Sequence, residues 1–296
     1  MPAAKKAAHK HVTVKRKPAK KKIPADKKNY KDGTVFLDSD KIKPVKSLSD
    51  YISILETCCS TDNVLFRGQN ADWPLLPKLC RINPRKDKDE ELKEALLLTE
   101  KKMLEDFKRL SKPHLNKTPA NNWEWIALAQ HHGLPTRLLD WSSNPLAALW
   151  FTVCAPASTK GGVIWIFFPE KDAFLTPNEI ANTDPFDVVT ARVFQPQLST
   201  IRIQSQSGWF TTQQFKTTDT RFIPFDEITD YENKLLKIQI PAAYFSELRS
   251  KLDYLGVNRF TLFQDLDGIA GYVEWFHSFF SDEETDPDKI LKKITG

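Results

Sequence analysis

Polar side chains of the kinds that do chemistry crowd one short stretch of the chain, residues 125–151, "WIALAQHHGLPTRLLDWSSNPLAALWF". Burying so many polar groups between apolar runs is costly unless each of them finds a partner or a ligand. Arginine offers a rigid fork of donors that suits phosphate or carboxylate. The stretch therefore predicts a ligand site that includes Gln130, His131, His132, Thr136, Arg137, Asp140, Trp141, Ser142 and Asn144.

A second arginine lies in "LFRGQ", residues 65–69, where a short apolar run ends at Arg67 and Gly68. A strand that ends there lets the guanidinium and the backbone approach the same ligand, because glycine has no side chain to obstruct it. Gln69 extends the same polar turn. The competing interpretation is an ion pair between Arg67 and a structural carboxylate beside a turn, and composition alone favours it.

Two other kinds of site fit these residues less well. Adjacent histidines such as His131 and His132 point in different directions on a helix and chelate a metal poorly, so no metal is expected. At least one of them could instead serve the last helical turn, where a cation meets free carbonyls. Serine, histidine and aspartate are all present, but no GxSxG motif of the kind that carries a serine nucleophile occurs.

Helices around these residues can be recognised from apolar spacing and from their caps. One begins after Asn121 or Asn122 and ends at Gly133, while Asn144 followed by Pro145 opens the next. The segment between these two helices is assigned no regular structure. The helical segments are 47–58, 87–111, 123–132, 145–154, 242–256 and 266–280.

The strands concentrate in the second half of the chain, which favours one mixed α+β domain over regular βαβ winding. The N-terminal half is then rich in helix and the second half rich in strand. In the final helix, Asp265 or Asp267 is the expected N-cap, and Ile269, Val273, Phe276 and Phe280 are the expected buried face. The strands are predicted within 63–69, 163–168, 186–194, 200–213 and 234–241.

Composition limits the class of protein. The 296 residues are 41% hydrophobic, which is enough for a sizeable core. No apolar run approaches the roughly 18 residues that can cross a bilayer, and the N-terminus lacks the apolar centre of a secretion signal. A cytoplasmic protein without membrane contact is expected. The four cysteines fit no zinc or disulfide spacing, as is typical of a reducing compartment: Cys58, Cys59, Cys80 and Cys154.

The charge of the chain is strongly asymmetric. Residues 1–32 carry twelve Lys or Arg against two Asp, although the net charge of the whole chain is only +5. Such a segment buries too little apolar surface to fold, so residues 1–33 are predicted to be a disordered basic tail. It could hold nucleic acid through salt-sensitive phosphate contacts, or it could be a solubilising extension. Residues 282–296 are a second predicted tail.

Four segments resemble successive blocks of the FRG domain family, which is named for a Phe/Tyr-Arg-Gly motif and is found in many bacteria and phages. They are "VLFRGQ", "LAQHHGLPTRLLDWSSNPLAALWF", "RIQSQSGWF" and "LFQDLDGIAGYV". The resemblance covers residues 45–281 and leaves the basic tail outside. It implies a domain with these bounds but does not by itself imply an activity.

A more distant likeness is to the ADP-ribosyltransferase fold, in which a first-strand arginine contacts the phosphate or ribose of NAD. By this likeness Arg67 and Gly68 take that role, while Asp140, Trp141 and Ser142 shape the nicotinamide pocket, with Trp141 available to stack on a ring. The likeness departs from the family at the later strand. There Gln206 and Gly208 lie where a glutamate is expected, and Glu232 is the available substitute.

Taken together, the residues predict a polar cleft that binds a nucleotide-like anion, with NAD as the candidate substrate and Arg67 and Arg137 as the anion contacts. Asp140 would orient an imidazole or an arginine. In the enzyme version, ADP-ribosyl transfer or NAD hydrolysis, the catalytic residues are Arg67, Asp140 and Gln206. The alternative is a non-enzymatic module with a nucleic-acid-binding tail; the oligomeric state stays open. The remaining ligand contacts are Gly68, Gln69, Gln130, His131, His132, Thr136, Trp141, Ser142, Asn144 and Gly208.

Overall fold

The computed structural model describes residues 28–29, 35–36, 39, 42–59, 63–85, 88, 91–196, 201–212, 222–228, 231 and 234–284. Its helices, in chain order, are α1 Leu48–Cys58, α2 Leu92–Ser111, α3 Asn122–His131, α4 Pro145–Val153, α5 Pro177–Asn182, α6 Ile201–Ser205, α7 Phe245–Tyr254, α8 Arg259–Phe263 and α9 Leu266–His277. Its strands are β1 Lys28–Asn29, β2 Val35–Phe36, β3 Leu65–Gln69, β4 Leu138–Ser142, β5 Gly161–Phe167, β6 Arg192–Phe194, β7 Gly208–Thr212 and β8 Leu235–Pro241.

The predicted α+β class is confirmed. Strands β3 to β8 form one sheet in the order β6-β7-β4-β3-β5-β8, in which every neighbouring pair is antiparallel. Among the described strands, β1 and β2 pair with each other, so Lys28–Asn29, inside the predicted tail, is paired with Val35–Phe36 beyond the end of that tail. Residues 1–27, 30–33 and 285–296 of the two predicted tails lie outside the described residues.

The sheet is split between its two central strands. Strand β3 pairs with β5 along five residues, and β4 pairs with β7 along five residues. Between β3 and β4, however, the ladder joins a single pair, Phe66 and Ser142. The sheet therefore consists of two three-stranded halves that meet at one rung and separate beyond it.

The apolar core follows this division on one face of the sheet. One cluster contains α1, α4 and α7 side chains packed on β3, β5 and β8, and a second contains α3 side chains packed on β4, β6 and β7. On the opposite face a single cluster crosses both halves, because Trp141 of β4 contacts Phe167 of β5 with ring centroids 5.4 Å apart. Successive side chains of a strand point to opposite faces of the sheet. The two half-sheets are therefore joined by side-chain packing on one face and separated on the other.

Helix α4 lies close enough to the sheet that two glycines are required beneath it. A Cβ on Gly68 would overlap the carbonyl oxygen of Ala148 and lie 2.6 Å from Thr152 Oγ1. A Cβ on Gly162 of β5 would lie 2.6 Å from Thr152 Cγ2. Glycine is therefore needed at position 68 because helix α4 packs directly against it. The sequence suggested a different reason, the close approach of a ligand.

Helix α3 is buried along most of its length, from Trp123 to Ala129. Asn121 is its N-cap, since the Asn121 side chain accepts the amide of Glu124 at 3.0 Å. Gly133 ends the helix with φ +86°, a conformation that glycine adopts without strain. The predicted caps of α3 are therefore confirmed. They matter because they fix the last turn of α3 beside the split in the sheet.

Two segments differ from the sequence-based assignment. Residues 136–141, given no regular structure, supply most of β4, which lies in the middle of the sheet. The segment 200–213, predicted as strand, begins as the short helix α6 before β7 starts at Gly208. Both errors have one cause, since β4 and β7 pair with each other across about 70 residues and local propensity does not record such pairing.

Helix α9 turns its large apolar side chains outward, so the prediction of its buried face is wrong. Ile269, Val273 and Phe276 are exposed by 39%, 49% and 62%. The face that packs carries Gly268 and Gly271, where a Cβ would meet Phe263 and Arg259 of α8. Asp265 caps the helix, as one of the two predicted alternatives. None of the helices in the described part of the chain is long and apolar enough to span a membrane.

Candidate functional site

A cavity of about 300 Å³ opens where β3 and β4 separate, between the last turn of α3 and helix α4. Nine of the residues that the sequence singled out contribute to its wall. Phe66, Phe151, Trp209 and Phe210 add aromatic surface. The nine predicted residues are Arg67, Gly68, Gln130, His131, Asp140, Trp141, Ser142, Gln206 and Gly208.

Arg67 bridges the split. Its Nη1 donates to the main-chain oxygen of Asp140 at 2.7 Å, and its Nε donates to Gln69 Oε1 at 3.4 Å. Burial lowers the pKa of Arg67, the Asp140 charge raises it and the nearby Arg81 charge lowers it further, yet an arginine stays protonated. A guanidinium has five N–H groups, so Arg67 keeps donors beyond these two bonds.

Gln69 is a positioning residue and does not line the cavity. Its buried amide donates to the main-chain oxygen of Trp73 at 2.7 Å, which leaves Oε1 turned toward Arg67. The bond from Arg67 Nε to Gln69 Oε1 helps to fix the plane of the Arg67 guanidinium. Arg67 is therefore held in place by the protein itself, which lowers the entropy that a ligand must overcome.

Asp140 supplies a carboxylate at the rim. Its Oδ2 lies 3.7 Å from Arg67 Nη1, and its side chain is 61% exposed against 20% for Arg67. An exposed pair at this distance contributes little to stability. Asp140 therefore does not neutralise Arg67 in the way that a buried partner would, and its carboxylate remains available at the cavity.

Gln206 lies in the tight turn between α6 and β7, next to Ser207, which has φ 49°. The Nε2 atom of Gln206 is buried and has no hydrogen-bond partner among the residues that the structure describes. The main-chain oxygen of Gln206 is held by Ser142 Oγ at 2.6 Å, and Ser142 Oγ in turn accepts the amide of Asn144 at 2.9 Å. A buried donor without an acceptor is costly, so this atom marks a place where a ligand oxygen would fit.

Trp141 contributes to the wall of the cavity, but its indole lies in the core. The indole Nε1 donates to Thr211 Oγ1 at 2.9 Å, and the ring packs against Phe167 and Phe225. Trp209, paired with Trp141 across the two strands, also lines the cavity; it is only half-buried and lies edge-on to Phe174. Sequence reasoning did not select Trp209, although its position directly after Gly208 in a recognised block was an available signal.

Arg137 does not reach the cavity. Its side chain is 4% exposed and forms an ion pair with Glu100 at 2.8 Å, while Nη1 donates to the Pro185 oxygen at 3.3 Å. The guanidinium also lies over the Phe186 ring, 4.8 Å from its centroid. Arg137 thus joins α2 to the start of β4, and of the two predicted anion contacts only Arg67 faces the cavity.

Three other predicted contacts lie in the supporting structure. Thr136 Oγ1 donates to Gln130 Oε1, and Gln130 Nε2 donates to the Leu138 oxygen at 3.2 Å, which ties α3 to β4. His132 is exposed at the end of α3 and packs near Phe107. Asn144 accepts the amides of Leu146 and Ala147, so the start of α4 is capped by the chain rather than open to an anion.

A smaller pocket of about 130 Å³ adjoins the cavity and shares Arg67, Gln130 and Asp140 with it. Lys78 and Arg81, from a 3₁₀ turn that spans Lys78–Arg81, line its other side. Neither residue was predicted from the sequence. The proline-rich segment that carries them gives no periodic signal, and only the structure brings it beside Arg67.

Glu232, the substitute for the missing glutamate, lies outside the described residues. Within the part of the chain that is described, no three His, Cys, Asp or Glu side chains are close enough together to hold a metal ion. The cysteines Cys58, Cys59, Cys80 and Cys154 are free thiols. Around the cavity the described residues therefore offer an arginine, amides, one carboxylate, the imidazole of His131, the hydroxyl of Ser142 and aromatic rings.

Residues 62–161 match the family model of the FRG domain. The predicted family is thereby confirmed for this range, which lies inside the predicted bounds 45–281 and includes Arg67 and Asp140 but not Gln206. Comparison with curated proteins and with solved structures gave no match. The likeness to the ADP-ribosyltransferase fold stays a prediction from the sequence.

Proposed function

We propose that the FRG domain of this chain binds a nucleotide-like anion in the cavity between its two half-sheets, with NAD as the first ligand to test. The observation that carries the proposal is Arg67, a partly buried guanidinium with unused donors whose neighbouring carboxylate, Asp140, lies 3.7 Å away and is 61% exposed. Such a group is suited to a phosphate, because the fork of the guanidinium matches two phosphate oxygens.

Two further features of the cavity support a nucleotide rather than a simple anion. The half-buried rings of Trp209 and Phe151 offer aromatic surface to a planar heterocycle. The unpartnered Nε2 of Gln206 needs an acceptor such as a carboxamide or ribose oxygen. At about 300 Å³ the cavity is at the small end of ligand pockets, so it holds one nucleoside-sized part of a dinucleotide.

The enzyme version of the proposal breaks the bond between nicotinamide and ribose C1′. Nicotinamide leaves with the bonding electron pair, and an oxygen of water or of an acceptor group forms the new bond to C1′ and loses its proton. Among the described residues that line the cavity, Asp140 is the only acid. Its carboxylate would stabilise the positive charge that develops on the ribose. Gln206 is neutral and cannot stabilise that charge in the same way.

A second candidate is a structural role for the same residues. The bond from Arg67 to the Asp140 main chain bridges the split sheet, and this observation favours a network that fixes the fold. The function then rests with the basic tail of residues 1–32, which would hold nucleic acid. Deletion of residues 1–32 should abolish salt-sensitive retention on nucleic acid; unchanged retention would mean that the rest of the chain binds.

The test of the leading proposal measures NAD binding by calorimetry and nicotinamide release by chromatography. Arg67→Lys keeps the charge but loses the fork, so we expect NAD affinity to fall about tenfold with the melting temperature nearly unchanged. Arg85→Lys is the matched control, since Arg85 is exposed and lines neither pocket. Equal NAD affinity in wild type and Arg67→Lys, or no NAD binding at all, would contradict the proposal.

A further inference from the structure

The smaller pocket beside Arg67 is strongly basic. Three cations, Arg67, Lys78 and Arg81, line it together with one carboxylate, Asp140. Its volume of about 130 Å³ is less than half that of the neighbouring cavity, which is too small for a heterocycle with its sugar but suits a compact anion. A concentration of like charge in a concave site attracts an anion of opposite charge.

The protein fixes the backbone that carries Lys78 and Arg81, and it neutralises only part of the positive charge, through Asp140 at 3.7 Å from Arg67 Nη1. Leu79 is fully buried, and its amide donates to the Thr136 oxygen at 3.2 Å, which fixes the 3₁₀ turn against β4. Lys78 Nζ donates to the Gly133 oxygen at 2.7 Å, at the end of α3. Arg81 forms no ion pair with any residue that the structure describes. An anion would therefore meet ready donors rather than displace existing partners.

We infer that this basic pocket binds a phosphate group adjacent to the one on Arg67, so the ligand of the FRG domain is a diphosphate, such as a dinucleotide or a nucleoside diphosphate. The inference rests on the proposed function, because it assumes a nucleotide in the larger cavity. Arg67 lies on the wall of both spaces and would contact the phosphate at their junction. Lys78 and Arg81 would contact the next phosphate.

Charge balance favours this assignment over a ligand with one phosphate. The four charged residues described around the pocket, three cations and one carboxylate, sum to a charge of +2, which a diphosphate group compensates. Arg67 and Arg81 repel each other across the pocket, and an anion placed between them replaces that repulsion by two attractions. Charge-assisted bonds of this kind are the strong ones in anion recognition.

The test uses three probes and three proteins. The probes are inorganic pyrophosphate, nicotinamide riboside and NAD, and the proteins are wild type, Arg81→Gln and Arg85→Gln. Arg85 is exposed, lies four residues from Arg81 and does not line the pocket, so Arg85→Gln controls for the lost charge. We expect Arg81→Gln to weaken pyrophosphate and NAD at least about tenfold and to leave nicotinamide riboside unchanged.

The outcomes separate this inference from the proposed function. If NAD binds equally to wild type, Arg81→Gln and Arg85→Gln, the inference is overturned and the proposed function stands. If neither NAD nor nicotinamide riboside binds but pyrophosphate binds in an Arg81-dependent way, the nucleotide proposal fails and the diphosphate pocket remains. If pyrophosphate does not bind to wild type either, both are overturned. Lys78→Gln repeats the comparison at the second cation, with Lys112→Gln as its control, because Lys112 is exposed and lines neither pocket.

Discussion

Arg67 and Arg137 are two largely buried arginines that were both predicted from the sequence to contact one anion. In the structure they differ in how far their positive charge is compensated. Arg137 has a carboxylate at 2.8 Å that is itself 2% exposed, a carbonyl and an aromatic face. Arg67 has a carbonyl, a distant amide and a carboxylate at 3.7 Å that faces solvent. What distinguishes a structural arginine from a candidate ligand contact is therefore how completely its charge is compensated, and the residue type gives no such information.

The largest effect is expected when the compensated arginine loses its partner. Glu100→Gln leaves the guanidinium of Arg137 buried without a counter-charge, so the free energy of unfolding should fall by about 3–5 kcal/mol. Denaturant titration measures it. A loss of unfolding free energy below about 1 kcal/mol would mean that Glu100 compensates the charge of Arg137 no better than Asp140 compensates that of Arg67. The proposed difference between the two arginines would then be wrong.

The next effect concerns the backbone beneath Arg67. In Gly68→Ala the added methyl overlaps the Ala148 main-chain oxygen, which no side-chain truncation can relieve, so helix α4 must shift. Overpacking of this kind costs about 1–3 kcal/mol of unfolding free energy. Thermal unfolding followed by circular dichroism tests it. Native stability in Gly68→Ala would show that α4 can yield here, and the cavity wall would then be less rigid than the geometry implies.

A smaller effect is expected at the carboxylate of the uncompensated side. Asp140→Asn removes a charge that is 61% exposed, so stability should change by less than about 1 kcal/mol. Asp140→Asn and Glu100→Gln are both acid-to-amide changes. Measured together, their losses of unfolding free energy compare the carboxylate partners of Arg67 and Arg137 directly. Nicotinamide release should be lost in the folded Asp140→Asn protein if the enzyme version holds. A destabilisation as large as that of Glu100→Gln would instead assign Asp140 to the structural network.

The smallest effect on stability, and the sharpest on binding, is expected at Gln206. Because Nε2 has no partner, Gln206→Leu should leave the melting temperature unchanged or raise it slightly. The affinity for NAD should nevertheless fall about tenfold, since a ligand oxygen loses its donor. Calorimetry and thermal unfolding on one preparation give both values. A clear loss of stability without loss of affinity would identify Gln206 as part of the fold alone.

Features with local signals were predictable from the sequence. The N-caps Asn121, Asn144 and Asp265 can be predicted from residue type at a fixed spacing from the helix. The buried strand β5 can be predicted from its continuous apolar run. The cavity residues on "FRGQ" and "QSG" were grouped from a recognised set of motifs before their contacts were known. Those parts of the fold and site depend on short stretches of chain.

The missed features depend on which face of an element meets which partner. Trp141 and Trp209 occupy paired positions on β4 and β7, but only the packing against Phe167 decides which indole is in the core. The stripe on α9 has the period of a buried face, yet Gly268 and Gly271 allow α8 to pack on the other side. Lys78 and Arg81 enter the site through a turn whose position is set by Leu79. Periodicity does not contain this information.

The single rung between Phe66 and Ser142 has a consequence for the energetics of the cavity. Each half-sheet carries its own helices on the cavity face, while the aromatic cluster on the other face joins them. A change in the angle between the halves would widen or narrow the cavity, because a single rung joins β3 to β4. A molecule bound across the split would stabilise the angle that fits it best, so ligand binding and sheet geometry are energetically coupled.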